Sequence, residues 1–194
     1  MKKDIAIAGV GGQGNLFASS VLCQYAMEKG LNVLGTETIG AAQRGGSVVS
    51  HMRISDEVIY SPIIPPNMAD VLLGMETLEL IRHIQLLQPE GYYIMNLYSV
   101  PTVYSNLGID RYPSQAEIRQ AAQKVCPTGY EVPATYKAAE LGNPQMTNVV
   151  MLGALIKVDD FFDFEGIKNI IARTSPARFQ ERNIAGYEAG YALL

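Results

Sequence analysis

An apolar stretch, Ile5-Ala6-Ile7-Ala8, runs directly into the hexapeptide GVGGQG at Gly9 to Gly14, and an amphipathic segment follows. A short buried strand is thereby joined to a glycine-rich helix start. Gly9 is expected to allow a tight turn, Gly11 to let the backbone approach a ligand, and Gly14 to let the helix lie close on the strand. A helix beginning there points unpaired N–H groups and the positive end of its dipole into the loop, which suits an anion such as phosphate. The competing reading is a tight strand-to-helix turn that binds nothing.

Beyond this junction, strand-like and helix-like segments alternate. Gln13 to Lys29 carries apolar residues at mostly helical spacing and is stopped by Gly30. Leu31 to Gly35 and Gly46 to Ile54 read as strands, with Val58 to Tyr60 a possible return strand across the Ser55-Asp56-Glu57 turn. After Pro62, Pro65 and Pro66, Ala69 to Leu73 reads as a buried strand. Thr77 to Leu87 reads as its crossover helix, and Tyr92 to Met95 as the next strand behind a Pro89-Glu90-Gly91 turn. Helices are expected at Gln115 to Lys124, Thr135 to Leu141, Asn148 to Ile156, Glu165 to Ala172 and Ala177 to Tyr191. The pattern predicts an α/β fold: a Rossmann-like open, mostly parallel sheet covered by helices, with a helical C-terminal tail. A length of 194 residues suits one domain spanning the chain.

Composition bounds the function. A net charge of −4, a pI near 5.2 and no cluster of basic residues argue against a nucleic-acid surface. No apolar run reaches membrane-spanning length, so no membrane partner is expected. The start Met1-Lys2-Lys3-Asp4 enters a strand too soon for a secretory signal, which makes the cytoplasm the expected location. Cys23 and Cys126 lie far apart and outside any C-x-x-C pair, so a four-thiolate cluster within one chain is excluded and no metal site is expected. Cys23 reads as a small core residue and Cys126 as a free thiol. His51, in a strand pattern, reads as a hydrogen-bonded structural histidine, and His83, on a helix beside Arg82, as solvated.

Ligands of open parallel sheets sit beyond the carboxyl ends of the strands. Those ends supply the glycine loop, Glu37 within Thr36-Glu37-Thr38, Glu76 and Asn96. Between the second and third strands lies Ala42-Gln43-Arg44-Gly45-Gly46, where a guanidinium fork beside Gly45 and Gly46 can clamp a phosphate or carboxylate. Arg44 reads equally well as an exposed loop residue, and Glu76 and Asn96 as a helix-start acid and a turn residue. A free-standing NAD(P)-binding oxidoreductase would use Glu37 on a ribose and Arg44 on a 2′-phosphate. Two features weaken that reading. Glu37 lies 28 residues beyond Gly9, past the usual interval of about 20. No constellation of His, Lys or Tyr follows to manage a proton, and Tyr136-Lys137, adjacent on a helix, do not share a face.

Five segments carry a resemblance to a known family: GVGGQG at Gly9 to Gly14, AAQRGGSVVSHMRIS from Ala41 to Ser55, ADVLLGMETLE from Ala69 to Glu79, PEGYYIMN ending at Asn96, and LGNPQMTNVVMLGAL from Leu141 to Leu155. Over nearly its whole length the chain resembles the gamma domain of 2-oxoacid:ferredoxin oxidoreductases, most closely the small subunit of the indolepyruvate enzymes. It departs at Pro65-Pro66-Asn67-Met68-Ala69-Asp70, where family members often carry Gly-Arg-Ala or Gly-Pro-Ala. The resemblance implies a subunit of an enzyme that oxidatively decarboxylates a 2-oxoacid, passes electrons through iron–sulfur clusters to ferredoxin and transfers the acyl group to coenzyme A. Thiamine diphosphate, Mg and the clusters would lie in a large partner subunit, and the isolated chain would be inactive. It implies no catalytic residue here. Gly11, Gly12, Gln13 and Gly14 would cradle a coenzyme A phosphate, with Arg44, freed by Gly45 and Gly46, adding charge where the subunits meet. A variant has the same loop docking a carboxylate of the large subunit. An aryl pyruvate is the favoured substrate, and a gamma subunit of a pyruvate, 2-oxoisovalerate or 2-oxoglutarate enzyme is the alternative.

Overall fold

The computed structural model describes residues 1–37 and 45–194. Six strands form one sheet in the order β2-β3-β1-β4-β5-β6. They are β1 (Lys2–Val10), β2 (Asn32–Glu37), β3 (Ser47–Ser55), β4 (Ala69–Gly74), β5 (Leu87–Asn96) and β6 (Gly129–Val132). Strands β1, β4, β5 and β6 run parallel, whereas β3 lies antiparallel to both β1 and β2. The sheet is thus mostly parallel, with β3 the reversed exception. The physical reason is the length of the β2–β3 connection: too few residues separate the strands for a crossover helix, so β3 returns beside β2.

Helices cover both faces. They are α1 (Asn15–Glu28), α2 (Thr77–His83), α3 (Val103–Asn106), α4 (Gln115–Val125), α5 (Ala134–Glu140), α6 (Thr147–Val158), α7 (Phe164–Thr174) and α8 (Gln180–Tyr191). Alternation along the buried strands divides the core. Ile5, Ile7, Val71, Leu73 and Ile94 face α1, α6 and α7, while Ala6, Ala8, Leu72, Tyr93 and Met95 face α2 and α4. From Thr147 to Ile156 every residue of α6 is buried. Its backbone meets that of α8 directly: a methyl at Gly153 would lie 2.6 Å from Tyr191 N and overlap Tyr187 O.

Several expectations are corrected. Val58 to Tyr60 forms no strand, and Tyr60 is exposed. The Pro89-Glu90-Gly91 segment is not a turn ahead of β5 but an irregularity within it, since Ala69 pairs with Leu87 and Val71 with Tyr92. The α-helix begun at Thr77 ends at His83 and continues as a 3₁₀ turn over Ile84–Leu86. Strand β6 was not anticipated, because only four residues with little alternation form it. Both cysteines are free thiols, as read for Cys126, but Cys126 is the fully buried one, with Sγ 3.0 Å from Gly91 O, and Cys23 is only partly buried against the core. His83 is half-buried rather than solvated, with Nε2 3.3 Å from Ser47 Oγ. No helix among the described residues is long and apolar enough to cross a membrane.

Candidate functional site

The glycine loop leaves β1 at Val10 and enters α1 at Asn15. Its left-handed residues are Gly12, at φ 104°, and Gly14, at φ 82°. Gly9 does not make the turn. It lies within β1 opposite Val48, and its missing side chain admits Asn15 Oδ1, Gln13 Oε1 and Met75, which would stand 2.7, 2.9 and 3.0 Å from a methyl there. Gln13 closes the turn: its amide donates to Val10 O at 3.1 Å, and its Oε1 accepts from Val10 N–H at 2.8 Å. Gly14 permits close approach to α6 rather than to the strand, since a methyl there would overlap the carboxamide of Asn148.

Gly45 and Gly46, distant in sequence, are bound to this loop. Gly11 N–H donates to Gly46 O at 2.8 Å, and Gly45 N–H donates to Gly11 O at 3.2 Å. The amides of Gly11 and Gln13 are therefore taken by protein carbonyls. Among the described residues no acceptor takes those of Gly12 and Gly14. Arg44 lies outside the described residues.

Among the described residues no side chain caps the N-terminus of α1, and its first turn holds no acid. Its leading amides and dipole are left for an outside acceptor. They open on a cavity of about 400 Å³ lined by Gly11, Gly12, Gly14, Leu16, Glu37 and Ser50, among others. Buried Asn15 also borders it. Its Nδ2 donates to Ile7 O at 3.2 Å, and its Oδ1 is the one buried side-chain polar atom without a partner among the described residues.

Glu37 stands on the wall of this cavity, where Oε1 accepts from Ser19 Oγ at 2.9 Å and Ser50 Oγ at 3.0 Å. A second cavity, of about 390 Å³, shares Leu16, Glu37 and Ser50 and reaches Cys23 and His51. Burial, reinforced by the Glu37 carboxylate, pushes the Cys23 thiol up to about 11. Burial lowers the pKa of His51, whose Nδ1 accepts from Ile64 N–H at 3.3 Å. That bond bears out the structural-histidine reading.

Glu76 and Asn96 form a separate buried cluster and line neither cavity. Glu76 caps α2 by accepting from Glu79 N–H at 2.9 Å, and it also accepts from Val100 N–H at 2.9 Å and from Tyr112 Oη. Burial and the Glu76 bond raise the Tyr112 hydroxyl to about 12. Asn96 donates from Nδ2 to Met75 O and Thr135 Oγ1, both at 2.8 Å, and accepts from Thr135 N–H at 3.2 Å. The two side chains fasten the ends of β4 and β5 to α2 and α5. Site residues missed in the sequence are Asn15, Ser19, Ser50 and Asn148. A polar residue at the first buried position of α1 was the available signal for Asn15, and the LGNPQMTN segment was the one for Asn148.

A six-stranded α/β sheet with a glycine loop tied to Gly45 and Gly46 defines the fold and site to be compared with known proteins. The pyruvate ferredoxin/flavodoxin oxidoreductase family matches residues 4–193, and the chain belongs to that family. It is similar to the indolepyruvate oxidoreductase subunit IorB of Archaeoglobus fulgidus, at 35% identity over 98% of this chain and 94% of that protein. It is also similar to the 2-oxoglutarate synthase subunit KorC of Methanothermobacter marburgensis, at 29% identity over 100% and 97%. Among solved structures, the pyruvate oxidoreductase subunit PORC of Thermotoga maritima shares the fold, with a TM-score of 0.72 and 23% identity over 99% and 96% of the two chains. The 2-oxoglutarate:ferredoxin oxidoreductase of Magnetococcus marinus, solved with 2-oxoglutarate, coenzyme A and succinyl-CoA bound, shares it with a TM-score of 0.74 and 20% identity. That match covers 99% of this chain and 31% of that one.

Proposed function

We propose that this chain is one gamma-type domain serving as the small subunit of a 2-oxoacid:ferredoxin oxidoreductase, where it completes the coenzyme A side of the active site. The observation that carries this reading is the uncapped N-terminus of α1, opening with the Gly12 and Gly14 amides onto the 400 Å³ cavity. That opening fits the diphosphate of coenzyme A: backbone donors and a helix dipole face it, and no carboxylate stands in the first turn. Gly12, Gly14 and the first amides of α1 hold phosphate. Gly11 and Gln13 shape the loop through their bonds to Gly46 and Val10. Glu37 accepts a hydrogen bond from a hydroxyl or amide of the ligand, and Arg44 beside Gly45 and Gly46 adds positive charge. Glu76 and Asn96 hold the strand ends in place. When bound, coenzyme A supplies the thiol that accepts the acyl group.

A large partner subunit carries thiamine diphosphate, Mg and the iron–sulfur clusters and passes electrons to ferredoxin. The IorB relatives favour an indolepyruvate or other aryl pyruvate substrate. The nicotinamide reading is disfavoured on topology. In the dinucleotide fold the acid-bearing second strand adjoins the first, whereas here β3 separates β1 from β2.

The test is anaerobic purification of the tagged chain from its host, followed by a 2-oxoacid assay on whatever large subunit accompanies it. An iron–sulfur complex with coenzyme A-dependent turnover is expected, and Arg44→Ala should raise the KM for coenzyme A roughly ten-fold, the scale of one charge-assisted hydrogen bond. An unchanged KM refutes the role of Arg44. Loss of the large subunit shows instead that the loop docks a carboxylate of the partner.

A further inference from the structure

Between β5 and α4 the chain makes an excursion, Val100 to Tyr112, whose two ends are fastened to one buried carboxylate. Glu76 Oε1 accepts from Val100 N–H at 2.9 Å and from Tyr112 Oη. Tyr112 Oη also accepts from Leu78 N–H at 3.2 Å, and Ser99 Oγ lies 3.1 Å from Thr77 Oγ1. Local bonds keep the shape of the interior. Thr102 Oγ1 caps α3 by accepting from Ser105 N–H at 3.1 Å, and Gly108, left-handed at φ 69°, ends it so that Ile109 N–H reaches Tyr104 O at 3.0 Å. Compact loops of this length with closed ends are frequently functional elements.

This local order is not matched by burial. None of the residues of α3 is buried, and Val103, Tyr104, Leu107 and Ile109 are 72%, 64%, 66% and 69% exposed. Tyr136 of α5, also exposed, stands at the root of the loop against Tyr98, with ring centroids 6.1 Å apart. Together these side chains present on the order of 600 Å² of surface, whereas a monomer rarely shows a contiguous apolar patch beyond a few hundred Å² and one side of a standard protein interface takes about 800 Å². No Asp, Glu, Lys or Arg occurs from Gly91 to Ile109, in a chain that is 18% charged. Absence of charge, with tyrosine among aliphatic residues, is the composition of an interface core.

We infer that the Val100–Tyr112 loop docks the large subunit through Val103, Tyr104, Leu107 and Ile109; the inference rests on the proposed function, which requires that partner. Two observations select this occupant. The first is position. Strands β1 and β5 both run parallel to β4, which alone lies between them, so the glycine loop and this loop leave the same edge of the sheet about 10 Å apart. An interface of standard size is roughly 30 Å across, so a subunit that closes over the first loop also covers the second. The second is chemistry. An uncharged apolar face suits a permanent partner, whereas an electron carrier that must come and go is met through small contacts steered by charge. The facing surface of the large subunit is therefore apolar and uncharged as well. Fastening both ends of the loop to Glu76 sets its shape before the partner arrives, which lessens the entropy lost on docking.

The test uses the complex purified anaerobically from its host through the tagged chain, as wild type, as the double variant Leu107→Ser/Ile109→Ser, as Val103→Ser and as Ile63→Ser. Ile63 is exposed but lies outside the loop. A dilution series followed by gel filtration gives the concentration at which half of the large subunit, identified by its mass and iron content, has dissociated. That concentration should rise at least about ten-fold in L107S/I109S and by a smaller factor in V103S, because each truncation removes an aliphatic side chain from the contact. In I63S it should stay within about two-fold of wild type, the scale of an ordinary surface substitution. The replaced side chains are exposed, so circular dichroism should find the same melting temperature in every variant. A complex as tight in L107S/I109S as in the wild type overturns the inference while leaving the proposed function standing. Equal weakening in I63S overturns it as well. Oligomers of the small chain that L107S/I109S disperses while the large subunit stays bound assign the loop to a second copy and overturn it too. Absence of a large iron–sulfur subunit from the wild type overturns both the inference and the proposed function.

Discussion

Replacing Gly14 and Gly12 separately by alanine tests whether the glycine loop is constrained by backbone conformation alone or also by contact with α6. Both residues have positive φ, 82° and 104°, which costs an alanine about 1–2 kcal/mol. Gly12 has open space where its side chain would be, so G12A carries only that term. At Gly14 the methyl overlaps Asn148 Nδ2 and lies 2.9 Å from Asn148 Cγ. Asn148 is itself held, with Oδ1 accepting from Val149 N–H at 2.9 Å within a fully buried helix, so it cannot swing aside cheaply. Overpacking of this kind adds about 1–3 kcal/mol. G14A should therefore be less stable than wild type by about 2–5 kcal/mol, against about 1–2 for G12A. At roughly 2–4 °C per kcal/mol for a domain of this size, the two melting temperatures should be clearly resolved. Thermal unfolding of the two purified variants, followed by circular dichroism, measures both. Equal losses, or a larger loss in G12A, would refute the claim that α6 presses on the loop at Gly14.

Three further outcomes are expected. Gly153→Ala should destabilise the protein by about 2 kcal/mol, read from urea midpoints: roughly 1 kcal/mol of helix propensity is gained, but the methyl meets the α8 backbone, which has no rotamer to change, at a cost of about 3 kcal/mol. A more stable variant would contradict the α6–α8 contact. His51 is held neutral by burial, so its contribution to stability is complete above its ordinary pKa of 6.5 and is lost as pH falls through the lower folded value. Urea midpoints between pH 7.5 and 5.5 should fall less steeply in His51→Asn than in wild type. Some slope should persist, because the pKa of His83 is lowered as well. Native Cys23, raised from 9.0 to about 11, should present about 100-fold less thiolate than an ordinary cysteine, and Cys126 is fully buried. Iodoacetamide at pH 7.5 with mass spectrometry should find both thiols slow in the native protein and fast in urea.

The sequence by itself determined most of the elements of this fold and the place of its loop, though not the four-residue β6. Those signals are local: apolar runs for β1 and β4, helical spacing after Gln13, and glycines where the chain must turn left-handed or approach another backbone. Shared motifs carried the family for the same reason, since GVGGQG, the Arg-Gly-Gly motif and LGNPQMTN can be read without knowing what touches what. Tertiary structure decided which of those residues meet. Gly45 and Gly46 reach Gly11, and Asn148 reaches Gly14 across 134 positions of sequence, through contacts that no local spacing encodes. It also decided the direction of β3, because strand patterning records burial but not polarity. The fates of the polar candidates were settled in the same way. Glu37 lines a cavity because Ser19 and Ser50 hold it there, while Glu76 and Asn96, equally polar and equally at strand ends, are enclosed and spend their hydrogen bonds on the protein. Residue type fixes what a side chain is able to do, and only the surrounding fold fixes whether a ligand or the protein itself receives its bonds.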